Sequence, residues 1–426
     1  MRIAIIGAGF TGLTAALRLA QSGHTVTVFE REGEPGGLAA GFKDEDWEWP
    51  LERHYHHIFT SDIAIQKIAQ EVGQKYFFIR PTTSTYYDGE IRQLDSPASL
   101  LLFDRLPFWS RVKTGLAMAY LKYLADWKNL EKTTAAKWLQ KVDDQAYKNL
   151  WEPLLKGKFG EKASQISAAW FWARIKKRST KLGYFDGGFS QLAHKLEAAC
   201  RDKSVVFEYH AAIESINVRQ NAFDLQFGQN KRLKSKKFDQ VLVTGPSFVL
   251  SKLVPQLPQE YKRKLASYEG LGAVNVVVAL KRKFFPDNTY WLNMNDRKFP
   301  FLAVVEHTNL IDKSHYDGDH LLYIGNYLDP KHEFFELSEN ELIQRFSPFL
   351  LKLNPEFSPK QIRKVWVFKA RFAQPVVGVN YSREILPFET PIRGLYWASM
   401  QQVYPWDRGT NYAVEMGEQI AKLMGT

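Results

Sequence analysis

The 426-residue sequence predicts an α/β fold in which one parallel-sheet domain is assembled from separated stretches of chain and carries an α+β domain. Three observations predict it. An apolar strand near the start runs into closely spaced glycines and then a helix. A buried strand near the end runs into a second helix. Between them lie one long helical stretch and one stretch rich in strand patterns. A chain of this length buries a substantial core and divides into two or three domains.

Arg2–Ile6 reads as a buried strand, Gly7-Ala8-Gly9-Phe10-Thr11-Gly12 as a turn, and Leu13–Ser22 as a helix that Gly23 ends. Thr25–Phe29 reads as the second strand, with Glu30 at its tip. Gly7 permits the tight turn, Gly9 lets backbone approach a pyrophosphate, and Gly12 lets helix and strand pack closely. The helix N-terminus, at Phe10 and Thr11, presents free N–H groups to the anion, and Glu30 accepts from a ribose diol. A carboxylate there argues against a ribose 2′-phosphate but does not separate FAD from NAD.

Glu34-Pro35-Gly36-Gly37-Leu38-Ala39 follows within a few residues. The block from Glu30 and Arg31 to Gly36-Gly37 resembles the glycine doublet of the flavin amine oxidase superfamily, which includes protoporphyrinogen oxidases, phytoene desaturases and monoamine oxidases. Members usually carry Arg two residues before the doublet and often just after it; Glu34 and Leu38 stand there instead. Asp186-Gly187-Gly188-Phe189 resembles the second doublet, and the resemblance brings the Ile213 backbone to the adenine. Phe238–Val243 into Thr244-Gly245-Pro246 resembles the strand and loop closing this half of the domain. Arg393–Ser399 reads as the final strand, and Asp407-Arg408-Gly409-Thr410-Asn411 opens a helix to about Leu423. In the superfamily that helix end faces the flavin, with Thr410 and Asn411 nearest, and a positive helix end there stabilises the reduced flavin.

The resemblance implies a discontinuous Rossmann-like FAD-binding domain over residues 1–92, 183–254 and 376–426. A helical insert facing substrate or membrane would take 93–182, and a mostly antiparallel substrate domain 255–375. The FAD is expected to be non-covalent. Cys200, the one cysteine, sits in the helix Gln191–Arg201, and Ser399 and Met400 occupy the usual thiol attachment position.

Leu51–Asp62 holds three of the ten histidines, His54, His56 and His57. In an extended segment His54 and His56 share one face and His57 takes the other. No cysteine or acid falls at ligand spacing, so no metal site is expected. The segment resembles the Gly-Pro-His-Ile-Phe-His-Thr run of UDP-galactopyranose mutases, with His56 on the first histidine, Thr60 on the threonine, and His54-Tyr55 replacing Gly-Pro. A neutral imidazole beside the flavin accepts a substrate proton, which makes these histidines the catalytic candidates.

In the inserts, helix candidates are Trp109–Asp126, Thr134–Trp151 and Ser167–Arg178. Strand candidates are Ala273–Leu280, Thr289–Asn293, Phe301–Glu306, Leu321–Tyr327 and Val365–Lys369. Trp151–Gly160 resembles the helical region of protoporphyrinogen oxidases. Trp170–Lys181 is an aromatic stripe beside a basic run, read as core packing with a solvated basic face rather than a membrane patch.

A net charge of +11 favours anionic partners, but basic runs such as Lys231–Lys237 form no nucleic-acid motif, so nucleic acid is not expected. No apolar stretch approaches a bilayer span and nothing requires an oxidising compartment, so a cytoplasmic protein is expected, with or without peripheral contact to a membrane surface. Oligomeric state leaves no signal. By resemblance, the expected activity is hydride transfer from a C–N or C–C bond of an apolar or cyclic substrate to flavin N5, with oxygen or a quinone as electron acceptor. The alternatives are a redox-neutral, flavin-using sugar mutase and a flavin-binding protein without turnover.

Overall fold

The computed structural model describes residues 1–220, 222–229 and 232–425; Lys231, the first residue of one basic run, lies outside them. Five strands form a parallel sheet in the order Val206–Glu208, Thr25–Phe29, Arg2–Ile6, Gln240–Val243, Leu395–Trp397. Beginning, middle and end of the chain therefore meet in one sheet. Both faces are covered, as parallel strands require. Ile3, Ile5, Val26 and Val28 pack with Leu13, Leu17 and Leu196 of the helices Phe10–Gln21 and Gly188–Arg201. The alternate residues Ala4, Val241, Val243 and Trp397 pack with Leu225 and Phe227 of a three-stranded antiparallel sheet, Ala212–Val218, Phe223–Gln229 and Arg232–Phe238.

The C-terminal helix Thr410–Met424 lies beside Phe10–Gln21 so closely that a Cβ on Gly417 would stand 2.6 Å from Thr14. Only glycine fits that contact.

A seven-stranded sheet runs Ile362–Pro375, Gly270–Leu280, His320–Leu328, Ala303–Glu306, Thr289–Met294, Thr82–Tyr87, Glu90–Gln93. All its pairs are antiparallel except Thr289–Met294 with Thr82–Tyr87. The five strands expected from periodicity are all present. The last two come from much earlier in the chain, and pairings such as Thr85 with Asn293 leave no local pattern.

Residues 93–182 are largely helical, with Phe108–Tyr123, Ala135–Val142, Glu152–Phe159 and Ala168–Lys177 as the longer helices. The expected helix Thr134–Trp151 is broken instead. Asp143 is extended, its carboxylate accepts from the Ala146 amide at 2.8 Å, and a π-turn follows over Tyr147–Trp151. Local capping competes with helix continuation there. Trp170, Phe171 and Trp172 are buried, as core packing of that stripe required.

Candidate cofactor and substrate site

Gly9 caps the helix Phe10–Gln21 without any side-chain hydrogen bond, so no side chain competes for the N–H groups of its first turn. Gly7 is left-handed (φ +106°), and a Cβ there would stand 2.4 Å from Thr244 Oγ1, which donates to the Ile6 carbonyl at 2.8 Å. A Cβ on Gly12 would stand 2.0 Å from the Gly7 carbonyl oxygen. The doublet closes the other wall: Gly36 N donates to the Ala8 carbonyl at 2.9 Å, and the Cβ position of Gly37 lies 3.2 Å from Gly9 Cα. Two glycine loops thus leave a side-chain-free trough at a helix N-terminus.

At the trough's end Glu30 accepts from Ala8 N at 2.8 Å and Glu32 N at 3.0 Å. Ala211 N donates to the Glu30 carbonyl, which brings the strand carrying Ile213 to that side. Arg31 points into solvent and pairs with Glu32 at 3.3 Å; Leu38 is half-buried. Glu34, where relatives carry Arg, holds Arg53 at 2.6 Å, so a cation stands at this loop although its own sequence supplies none.

Ser399 caps the turn Met400–Gln402 by accepting from Gln401 N at 3.4 Å. Gly409 caps the C-terminal helix, again without a side-chain bond. Asn411 is buried, and its side chain accepts from Ile65 N at 3.2 Å and donates to Glu415 at 2.8 Å. Its amide is therefore committed within the protein, leaving Thr410 and the backbone as the free donors of that helix end.

Residues 53–57 form no regular strand, yet Tyr55 and His57 both pack on Trp291 while His56 packs on Phe189, as alternation along the segment predicts. The sheet beneath anchors the segment. Asn275 Nδ2 meets His54 Nδ1 at 2.8 Å and the Arg53 carbonyl at 3.5 Å. A carbonyl only accepts, so this nitrogen donates to both, and the proton of neutral His54 sits on Nε2. His56 Nδ1 lies 2.5 Å from the His54 carbonyl and must donate, which leaves His56 Nε2 an acceptor. His56 packs on Phe189, and His57 on Phe59 and Trp291, with its Nδ1 buried and unpartnered. Burial pushes all three down, His54 and His57 to about 3 and His56 to about 4, so each is neutral near pH 7.

Glu52, just before this segment, was not singled out by sequence. It accepts from Phe189 N at 2.7 Å and Tyr184 OH at 2.6 Å, and a Cβ on Gly188 would collide with it. Burial pushes its carboxyl up to about 7. It ties the second doublet to the histidine segment.

A cationic wall was also missed. Lys158 Nζ sits 4.7 Å from the Tyr327 ring centre and 5.4 Å from that of Trp170. The Arg408 guanidinium bonds Tyr327 OH and has a buried, unpartnered Nε. Arg174 pairs with Asp407 at 2.8 Å, and Asp407 also accepts from Trp170 Nε1 at 3.0 Å. Burial holds Lys158 well below the usual lysine range. The available signal was Lys158 beside Phe159 in an aromatic helix, but nothing local joins it to Arg408.

Cys200 is buried at Leu13, and among the described residues no group of three histidines, cysteines or acids is arranged to hold a metal ion. The trough between two glycine loops fits a pyrophosphate. The bare helix end at Gly409, with the unpartnered Arg408 Nε beside it, fits a second polar group of the same dinucleotide.

Comparison with known proteins agrees with this geometry. The 15-cis-phytoene desaturase of Narcissus pseudonarcissus is 22% identical over 390 residues, covering 84% of this chain and 66% of the desaturase. The chain spans about two thirds or less of the length of the curated relatives it matches. The structure of cyclohexylamine oxidase from Brevibacterium oxydans IH-35A superposes with a TM-score of 0.75 at 16% identity, covering 100% of this chain and 98% of that one. A reduced UDP-galactopyranose mutase gives 0.76 at 15% identity, covering 99% and 96%. At such identities the two structures speak for the fold alone. The model of the flavin containing amine oxidoreductase family matches residues 10–424. The chain belongs to that family, and its cofactor is FAD.

Proposed function

We propose that the chain is an oxidoreductase that removes two electrons from a C–N or C–C bond of an apolar or cyclic substrate. One observation carries the reading. The uncapped helix ends at Gly9 and Gly409 belong to neighbouring helices on one parallel sheet, and the neutral histidine segment joins that domain to the aromatic seven-stranded sheet. In this reading Gly7, Gly9, Phe10, Thr11, Gly12, Gly36, Gly37 and Leu38 hold the pyrophosphate by backbone. Glu30, Arg31 and Ile213 flank the adenosine, while Thr244, Ser399, Arg408, Gly409, Thr410 and Asn411 line the flavin half. The limits 1–92, 183–254 and 376–426 for this domain, with 93–182 and 255–375 for substrate, belong to the same proposal, except that Thr82–Tyr87 and Glu90–Gln93 pair into the seven-stranded sheet and go with the substrate part.

Bound FAD supplies a non-covalently held two-electron acceptor that oxygen or a quinone reoxidises. The chain does the rest. His56 keeps its own proton on Nδ1 and offers Nε2 to the substrate proton, and His54 offers an Nε2–H donor that orients the substrate. Tyr55, packed edge-on against Trp291 and Tyr323, excludes water beside them. A cytoplasmic location with peripheral membrane contact completes the reading. The purified protein should be yellow, release FAD, and bleach anaerobically with a cyclic amine such as cyclohexylamine or with an apolar desaturation substrate. A yellow protein that bleaches with neither class removes the oxidase reading.

The cationic wall favours a second reading, a redox-neutral mutase acting on a nucleotide sugar. Arg174 and Arg408 outnumber Asp407, and this suits a diphosphate better than an amine. Turnover only with pre-reduced flavin, and without net electron consumption, identifies it.

A further inference from the structure

Apolar surface is distributed unevenly over this molecule. Of the sixteen large apolar side chains exposed among the described residues, eight fall between Leu101 and Leu124. Trp109, Leu116, Tyr120 and Tyr123 recur at spacings of seven, four and three, which places them on one face of the helix Phe108–Tyr123. Trp109 is 70% exposed, Leu116 67% and Tyr123 74%. The opposite face is committed: Ser110, Thr114, Ala117 and Leu121 are buried. At one end the stripe continues into Leu102, because Arg111 donates to the Leu101 carbonyl at 2.5 Å and lies over the Phe108 ring. At the other it continues into Leu124, 78% exposed. Contiguous apolar surface of this kind on a soluble chain marks a binding face.

The charge around the stripe says what covers it. Residues 101–128 carry five basic and two acidic side chains. Lys113 stands on the stripe itself, 57% exposed. Lys122 donates to the Arg178 carbonyl at 2.5 Å, which sets the stripe beside the basic end of the helix Ala168–Lys177, with Lys176, Lys177 and Arg178. Tryptophan and tyrosine on an apolar face rimmed by lysine and arginine match the boundary between acyl chains and anionic headgroups. The helix has 16 residues, and among the described residues no helix is long and apolar enough to cross a membrane, so it lies in the surface plane.

We infer that the face formed by Trp109, Leu116, Tyr120 and Tyr123 docks on a bilayer containing anionic phospholipid. This deepens the peripheral-contact part of the reading above and moves it off Trp170–Lys181, whose aromatic residues are buried. The docked face also adjoins the catalytic candidates. Just past His57, Thr60 N donates to Ser179 Oγ at 3.2 Å and Ser61 Oγ to the Lys177 carbonyl at 2.9 Å, and Lys122 holds the Arg178 backbone between them. A substrate partitioning into the bilayer would enter on that side.

The test is sedimentation of the FAD-loaded full chain with vesicles of equal parts phosphatidylglycerol and phosphatidylcholine, and with pure phosphatidylcholine vesicles. Wild type should pellet with the anionic vesicles and far less with the zwitterionic ones. The double variant Trp109→Ser with Tyr123→Ser should bind the anionic vesicles roughly tenfold or more weakly while keeping its visible FAD spectrum and thermal midpoint. No pelleting of wild type, or equal pelleting of the double variant, overturns the inference. So does a wild-type dimer in analytical ultracentrifugation that the double variant converts to monomer without any vesicle binding, which would assign the face to a second copy of the chain. Vesicle binding is read without catalysis, so a colourless or inactive preparation that still pellets removes the oxidoreductase reading and leaves this one standing.

Discussion

The nucleotide trough and the histidine segment solve opposite problems. The trough works by absence: its walls are backbone, no side chain caps the helix end at Gly9, and any added Cβ is a fault. The histidine segment works by presence: His54, Tyr55 and His56 are held in place by Asn275, a carbonyl and packed rings. A site made of backbone is specified by neighbours in sequence. A site made of oriented side chains is specified by whatever the fold places against them.

Two glycines of one motif separate the trough's two tasks. Gly12→Ala sets a methyl 2.0 Å from a carbonyl oxygen, and the overpacking should cost about 3 kcal/mol or more, read as loss of soluble protein or a collapsed thermal midpoint. Gly9→Ala has nothing nearer than 3.9 Å and an ordinary φ of −73°, so its apoprotein should melt like wild type. Its FAD affinity should nevertheless fall roughly tenfold or more, because that space is where a pyrophosphate approaches. If both variants fail in the same way, the trough is only a packing device.

In the histidine segment, His56→Ala should slow flavin reduction by substrate by about two to four orders of magnitude with FAD content unchanged, measured by anaerobic stopped flow. Unchanged kinetics would return the histidine to packing. Glu52 sharpens the comparison from the stability side. Its carboxyl sits at about 7 when folded against 4.5 when unfolded. Between these values the folded state keeps a proton the unfolded state has lost, so its contribution fades as pH rises through that window. Glu52→Gln should therefore gain stability relative to wild type from pH 4.5 to 7, read as the difference in thermal midpoint. The three histidines act in the other direction. Below pH 6.5 the unfolded chain takes up protons that the folded chain refuses, so acid destabilises progressively towards about pH 3. The smallest effect belongs to the trough's rim: Glu34→Ala breaks a pair about one-third exposed and should change stability by about 1 kcal/mol or less.

How much was legible follows the same division. Strand, glycine turn and helix over Arg2–Gln21 are local in sequence and appear where expected, as do the five strands between Gly270 and Pro375. The helix break at Asp143 was missed because one carboxylate caps the next turn rather than exposing a Pro or Gly signal. The partners of His54, His56 and His57 were not legible, because Asn275, Phe189 and Trp291 lie far along the chain from them. Trp170–Trp172 and the stripe from Trp109 to Tyr123 are both aromatic runs beside lysines. Composition cannot say which is covered; packing buries the first and leaves the second bare.

By itself, the sequence determined the glycine trough, its acid Glu30, the α/β class and the family, because these depend on backbone freedom and on periodicities spanning a few residues. Tertiary structure decided which nitrogen of His54 and His56 carries the proton, that Lys158, Arg174 and Arg408 share one wall, and which aromatic helix face stays exposed. Each of these is fixed by groups distant along the chain, whose meeting the local pattern does not encode.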